Sequence, residues 1–340
     1  MKTAIIKSVR NVEIIDTPMP IAKAGEALLK LVCGGICGSD LGTYRGTFAY
    51  SSFPRIPGHE FAAQIVEIGD NNLGLKKDMI VTCNPYFNCG ECYSCERGFV
   101  NCCEHNETLG AQRDGAFSEY ITMPLERIYY GKEIEPHLLT LIEPFCISYH
   151  GAVTRGKVQK GEKVLVIGAG TIGILAAVSA KAMGAEVYVA DVAKAKIDYA
   201  LNNFDIDGVI LNKDHDEFLA KCAEITHGRG FDVAIEAVGL PITFQSCIDA
   251  VSYAGRVVVI GIGKQNLDFN YTIIQKKEIA VLGSRNALKE DFLFLIDLVK
   301  DKKVCIDKAI TNVFKFDDIA KAFNEMDTNG QNNLKIQLDF

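Results

Sequence analysis

The sequence predicts an α/β protein of two domains, a doubly wound parallel sheet joined to a β-rich domain. Three observations point there. At 340 residues, the chain exceeds the size at which a single hydrophobic core keeps growing. Its first 145 or so residues are rich in Gly, Pro and Cys and carry short apolar runs, such as 27–32 and 61–68, that read as strands between loops. From about Gly161 strand-like and helix-like stretches alternate in a βαβ rhythm, which implies a parallel sheet.

Taken in order, KVLVI at 163–167 is the first strand of that sheet, followed by a helix through 176–183 and a strand at 186–190 closed by Asp191. Further strands are expected at 207–211, 232–237, 256–261 and 278–283, with helices at 193–203, 216–226 and 243–253. About six strands complete a dinucleotide-binding fold. Beyond Ser284, a helix at 289–300 and a strand at 334–338 are expected to return to the first domain. The expected division is therefore 1–146 with 286–340, and 147–285. No internal repeat or low-complexity tract interrupts it.

Hydrophobic residues at 48% and charged residues at 23% give the balance of a globular protein. A net charge of -7 without any Lys/Arg cluster argues against a nucleic-acid partner, which calls for a basic field. No run of about 18 apolar residues suggests a membrane span, and MKTAIIKSVRN does not read as a secretory signal, so a cytoplasmic protein is expected. Twelve cysteines in such a chain fit metal ligands and buried thiols better than a disulfide framework.

Gly168, Gly170 and Gly173, with Thr171 and Ile172 between them, form G-x-G-x-x-G between an apolar strand and an apolar helix. The glycines permit the tight turn and the approach of a pyrophosphate to backbone N–H groups at the helix N-terminus. Asp191, 18 residues beyond Gly173, is placed to accept from ribose hydroxyls and to repel a 2′-phosphate, which predicts NAD over NADP; Lys194 and Lys196 nearby pull the other way. Val238 and Gly261, at the ends of later strands, join the candidate cofactor-binding set.

Cys89, Cys92 and Cys95 at three-residue intervals, followed by Cys102 and Cys103, predict a closed tetrahedral zinc site. An iron–sulfur cluster of this opening wants its fourth Cys after three residues and then Pro, where Phe99 and Val100 stand instead. Spacing alone leaves Cys102 and Cys103 as alternatives for the fourth ligand, and His105 reads as a surface residue. Cys37 in GICGSD, His59 in PGHE and Glu143 in LIEPF are ligand types that would leave a zinc position open; the residues by themselves leave open that the three are unrelated.

The order GICGSD, PGHE, CGECYSCERGFVNCC, DGAFSEY, LIEP and VLVIGAGTIG resembles the zinc-containing medium-chain alcohol dehydrogenase family from end to end. That resemblance implies a GroES-like catalytic domain, a Rossmann NAD-binding domain, an active site in the cleft between them, and a homo-oligomer, dimer or tetramer. It implies two zinc ions per subunit: a catalytic one on Cys37, His59 and Glu143, with Glu60 the carboxylate that can approach it, and a structural one on Cys89, Cys92, Cys95 and Cys103. It also places Ser39 as the hydroxyl that passes the substrate proton outward, with an ordinary turn serine as the alternative. Gly42 stands where many family members carry a relay His, so proton exit must differ. Ala63 and Ala116 replace glycines common in the family.

A carboxylate third ligand resembles the sorbitol and threonine dehydrogenase branch, and so implies secondary alcohols as substrates. NCCE, LIEPF followed by Ile-Ser, and KKE followed by GSRNA and DF resemble the L-galactonate 5-dehydrogenase group of sugar-acid enzymes. A sugar acid or polyol is the expected small-molecule substrate, with L-threonine the alternative. Arg285 is the candidate guanidinium for either a substrate carboxylate or Glu143, an ordinary domain-interface salt bridge being its other reading, and Tyr44, Phe48 and Tyr50 are candidates for either pocket lining or packing. Two rival readings are a zinc-free reductase on the same fold and a zinc-lobe interaction module joined to a nucleotide sensor.

Overall fold

The computed structural model describes residues 1–48, 50 and 52–340. It divides into two compact units, Met1–Glu143 with Leu288–Lys302 and Ile310–Phe340, and Pro144–Ala287 with Lys303–Ala309.

In the first unit a seven-stranded sheet is built around the strand Glu26–Ile36. Glu60–Ile68 pairs antiparallel with it, placing Glu60 opposite Gly35. Lys335–Asp339 pairs antiparallel with the same strand near that end, Ile336 opposite Ile36. Residues remote in sequence thus meet at the end of the strand that leads into Cys37. Beneath the sheet Leu29, Phe61, Ile65 and Val81 are fully buried, each such side chain contributing roughly 1.5–3 kcal/mol.

The second unit is a six-stranded parallel sheet in the order Gly208–Leu211, Glu186–Asp191, Lys163–Ile167, Phe231–Glu236, Val251–Val259, Ala280–Gly283. This is the doubly wound order, in which the first strand in sequence is central and the direction of winding reverses beside it. Leu165, Phe218, Phe231 and Ile248 lie in its core.

Several bounds differ in detail from those expected. Residues 303–309 group with the parallel-sheet unit, where the Tyr199 hydroxyl donates to the Lys308 carbonyl at 2.9 Å, and the boundary expected at 286 falls at Leu288. The helix expected at 243–253 is Pro241–Ala250. Val251 instead opens a strand that starts earlier than 256, because it pairs with Phe231 before the register shifts. Among the described residues, no helix is long and apolar enough to cross a membrane.

Candidate active site and metal centres

Three adjacent strands and two turns assemble the first candidate centre. Cys37 follows Ile36 and caps the helix Gly38–Tyr44. His59 enters from Gly58, whose φ of +99° and whose fit against Phe117, 2.2 Å from where a Cβ would lie, admit only glycine. Asp40 ties the two together, one carboxylate oxygen accepting from the Cys37 N–H and the other from the Gly58 N–H, both at 3.0 Å. One buried carboxylate therefore sets the spacing of two ligands.

Ligand atoms of Cys37, His59 and Glu60 all lie within 4.8 Å of one another. Nδ1 of His59 is buried without a hydrogen bond among the described residues, with Asp40 Oδ1 3.8 Å away. Burial works against a charge on His59, but Asp40, Cys37 and Glu143 raise its pKa well above the ordinary value. A buried imidazole with an unused nitrogen, a thiol and a buried carboxylate within 4.8 Å of one another fit a divalent ion such as zinc.

The carboxylate grouped with Cys37 and His59 is Glu60, whereas the resemblance assigned the third ligand to Glu143. Both carboxylates are buried, and each is held by its own partner. Glu60 Oε1 accepts from Lys335 Nζ at 2.7 Å, in space that exists because Gly35 has no side chain: a Cβ there would lie 2.3 Å from Glu60 Oε2. Glu143, in the first turn of the helix Ile142–Tyr149, accepts a hydrogen bond from the Tyr86 hydroxyl. Burial lifts the Glu143 carboxyl to about 7, with His59, Tyr86 and Lys335 opposing the rise. For Lys335, burial disfavours the ammonium, yet Glu60, Cys37 and Glu143 keep its pKa above the ordinary value.

Ser39 is half-buried on the helix after Cys37. At Gly42 a Cβ would meet Phe48 Cβ at 3.1 Å, so Phe48 occupies the space into which a relay side chain would extend. Tyr44 is buried against Phe323, ring centroids 5.2 Å apart, and so packs in the core rather than lining a pocket; Tyr50 is exposed. Arg285 is exposed beyond the strand Ala280–Gly283.

In the second centre, sulfurs of Cys89, Cys92, Cys95 and Cys103 lie within 4.8 Å of one another. Cys103 Sγ stands 3.6 Å from Cys89 Sγ and 3.9 Å from Cys92 Sγ, against about 3.8 Å for the edge of a zinc–sulfur tetrahedron with bonds of about 2.3 Å. The Glu104 backbone N–H on Cys92 holds that thiol down to about 6. Cys103 is buried and Cys102 exposed, which chooses between the two that spacing left open. His105 is exposed and outside the group.

In the parallel-sheet unit Gly168 takes φ +111° after the central strand, and a Cβ on Gly173 would lie 1.7 Å from the Gly168 carbonyl oxygen. Those two glycines let the helix Thr171–Ala182 start hard against the strand. Asp191 accepts from the Ala169 N–H and the Ala193 N–H, each at 2.8 Å, which fixes the glycine-rich turn from the neighbouring strand. Val238 packs against Gly168, and Gly261 against the Gly239 N–H, so all the expected cofactor residues meet at the carboxyl ends of adjacent strands. Glu236 organises this turn: its buried Oε1 accepts from the N–H groups of Val238 and Gly239 and from the Thr243 hydroxyl, at 2.7–2.9 Å.

Asp40, Tyr86, Glu236 and Lys335 went unnoticed in the sequence. Only Asp40 carried a signal, since it lies three residues after Cys37 where a carboxylate can cap the turn.

Known protein families match the chain in two successive segments. The alcohol dehydrogenase GroES-like domain matches residues 23–132 and the zinc-binding dehydrogenase domain residues 171–301. L-galactonate-5-dehydrogenase of Escherichia coli (strain K12) is 35% identical over 322 residues, 95% of this chain and 94% of that protein. L-threonine 3-dehydrogenase of Pyrococcus abyssi is 33% identical over 343 residues, 96% and 94% of the two chains. A crystal structure of an alcohol dehydrogenase from E. coli CFT073 complexed with NADH matches with a TM-score of 0.92 at 28% identity, covering 100% of this chain and 99% of that one. Two domain matches in the expected order and a relative aligned along nearly the whole length settle the membership: the chain belongs to the zinc-binding, medium-chain alcohol dehydrogenase family.

Proposed function

We propose that this dehydrogenase oxidises a secondary alcohol of a sugar acid to the ketone with NAD as acceptor. The convergence of the Cys37 thiol, the His59 imidazole and the Glu60 carboxylate within 4.8 Å of one another, with the buried Glu143 carboxylate under the electrostatic influence of His59, carries the reading. Zinc held by Cys37, His59 and Glu143, with Glu60 close by, would supply a Lewis acid that lowers the pKa of a substrate hydroxyl; NAD supplies the two-electron acceptor.

The chain's own residues do the rest. Asp40 fixes the distance between Cys37 and His59 through their neighbouring amides. Lys335 offsets the negative charge gathered by Cys37, Glu60 and Glu143. Ser39 Oγ takes the hydroxyl proton as its own O–H proton passes to water, while a hydride leaves the same carbon for NAD, so that one proton and two electrons are accounted for. Gly42 offers no side chain for a second relay step, and the proton passes from Ser39 without one. Asp191 sits where it would favour the ribose of NAD over a 2′-phosphate.

The sugar-acid class is supported by the 35% identity to L-galactonate-5-dehydrogenase and by Arg285, whose exposed guanidinium suits a carboxylate. A screen of NAD reduction at matched concentrations of aldonates, polyols and L-threonine tests it. An aldonate should give the highest kcat/KM, and Arg285→Ala should lower it for aldonates far more than for neutral polyols. A polyol or L-threonine as best substrate would overturn the sugar-acid reading, and no turnover of any alcohol after zinc loading would overturn the dehydrogenase reading.

A further inference from the structure

A continuous set of contacts runs from the four-cysteine lobe to Glu143. Asn88 Nδ2 donates to Cys95 Sγ at 3.8 Å, and Arg127 Nη2 donates to Asn88 Oδ1 at 2.9 Å. The other arm of the Arg127 guanidinium donates to the Tyr86 carbonyl. Tyr86, itself buried, then donates its hydroxyl to Glu143 Oε1. Local structure holds the set in place. Tyr86 and Phe87 pair with Thr108 and Glu107 across a two-stranded ribbon, and the Asn84 N–H donates to the Arg127 carbonyl at 2.8 Å. Phe87 lies beneath both Arg113 and Arg127, whose guanidinium carbons stand 3.8 and 4.5 Å from its ring centroid.

Such an arrangement is more than packing needs. A buried phenol requires one hydrogen-bond partner, and many would serve. Here the partner is a carboxylate that also faces His59 and Lys335 electrostatically, and the backbone carrying the phenol is gripped by an arginine whose other hand reaches the cysteine lobe. A planar fork is suited to holding two acceptors at fixed separation.

We propose that Tyr86 is a positioning residue for the Glu143 carboxylate and that Arg127 ties its setting to the four-cysteine lobe, so that the order of the lobe governs metal affinity at Cys37 and His59. The inference rests on the reading of Glu143 as a ligand. Tyr86→Phe removes the hydroxyl alone, and Arg127→Lys keeps the charge while losing the fork.

Metal retention under chelator competition and the visible spectrum of the cobalt-substituted holoenzyme are the readouts, with Tm as a control. Tyr86→Phe should weaken metal binding at the Cys37–His59 site by about 10–100-fold, the usual effect of removing a partner behind a metal ligand, and should shift the cobalt bands assigned to that site. The lobe should keep its own equivalent of metal. Arg127→Lys should weaken the same site in the same sense. Unchanged affinity and spectrum in Tyr86→Phe, with Glu143→Gln impaired, would overturn the positioning role and leave the ligand reading intact; an unaltered Glu143→Gln would remove the ligand reading itself. A Tyr86→Phe protein that only loses Tm would likewise overturn the positioning role, and an Arg127→Lys protein that binds metal as the unaltered chain does would overturn the proposed link to the lobe.

Discussion

Lys335 and Glu60 form a buried ion pair, Nζ standing 2.6 Å from Oε2 with side chains 3% and 1% exposed. Lys335 also donates to the Ile36 carbonyl at 3.2 Å, one residue before Cys37. Removing one member of such a pair strands the other charge, which costs about 3–5 kcal/mol. Lys335→Met should therefore lower the urea midpoint by that equivalent, and Lys335→Arg by much less. Equal stability of Lys335→Met and the unaltered protein would refute the account.

The Glu143 carboxyl, raised by burial to about 7 from 4.5, predicts a pH dependence. Because the folded state holds this proton more tightly than the unfolded chain, its contribution is full at low pH and is lost as pH rises from the unfolded value through the folded one. Metal-free protein should lose stability between pH 4.5 and about 7, and Glu143→Gln should lose less over that window. Thermal unfolding across the range measures this, and parallel curves for the two proteins would reject it.

At the lobe, Cys103→Ser should reduce bound zinc from about two equivalents to one, the shell needing four thiolates. Cys102→Ser, at an exposed position, should retain both. Elemental analysis of the purified variants decides, and a loss of metal in Cys102→Ser would reverse the assignment.

Asp191→Asn keeps an acceptor beside the glycine-rich turn but removes the charge. The preference for NAD over NADP in kcat/KM should fall about tenfold or more, the scale of one charged hydrogen bond of roughly 1.5–3 kcal/mol. A preference that stays the same would leave Asp191 with only its contacts to Ala169 and Ala193.

Ser39→Ala should lower kcat by about 10²–10⁴-fold, the range for a general acid–base group, with little change in NAD affinity measured by NADH fluorescence titration. An unaffected kcat would make Ser39 an ordinary helix residue.

What was legible in the sequence follows from locality. Cys89, Cys92 and Cys95 lie within one turn-rich segment, and Gly168 to Gly173 lie between a strand and its helix, so spacing alone conveys their geometry. Lys335 reads otherwise. In KIQLD it looks like the charged edge of a short strand, and only the register of Ile336 on Ile36 turns it toward Glu60. Tyr86 sits in a two-residue ribbon strand too short to leave a periodic signal. The setting of Glu60 beside Cys37 and His59, and of Glu143 against Tyr86, depends on which buried partner each carboxylate finds, and those partners come from distant segments.

The pairing of Ile336 with Ile36 closes a loop of nearly the entire polypeptide. Contacts of such separation form late, since the entropy of closing the loop is spent before they contribute. The Cys37 thiol, the His59 imidazole and the Glu60 carboxylate come from neighbouring stretches of the chain, whereas their counter-ion comes from the strand Lys335–Asp339. Maturation of the active centre is thereby made a closing event of folding, and a chain halted before that step would carry its ligands without the ammonium that balances them.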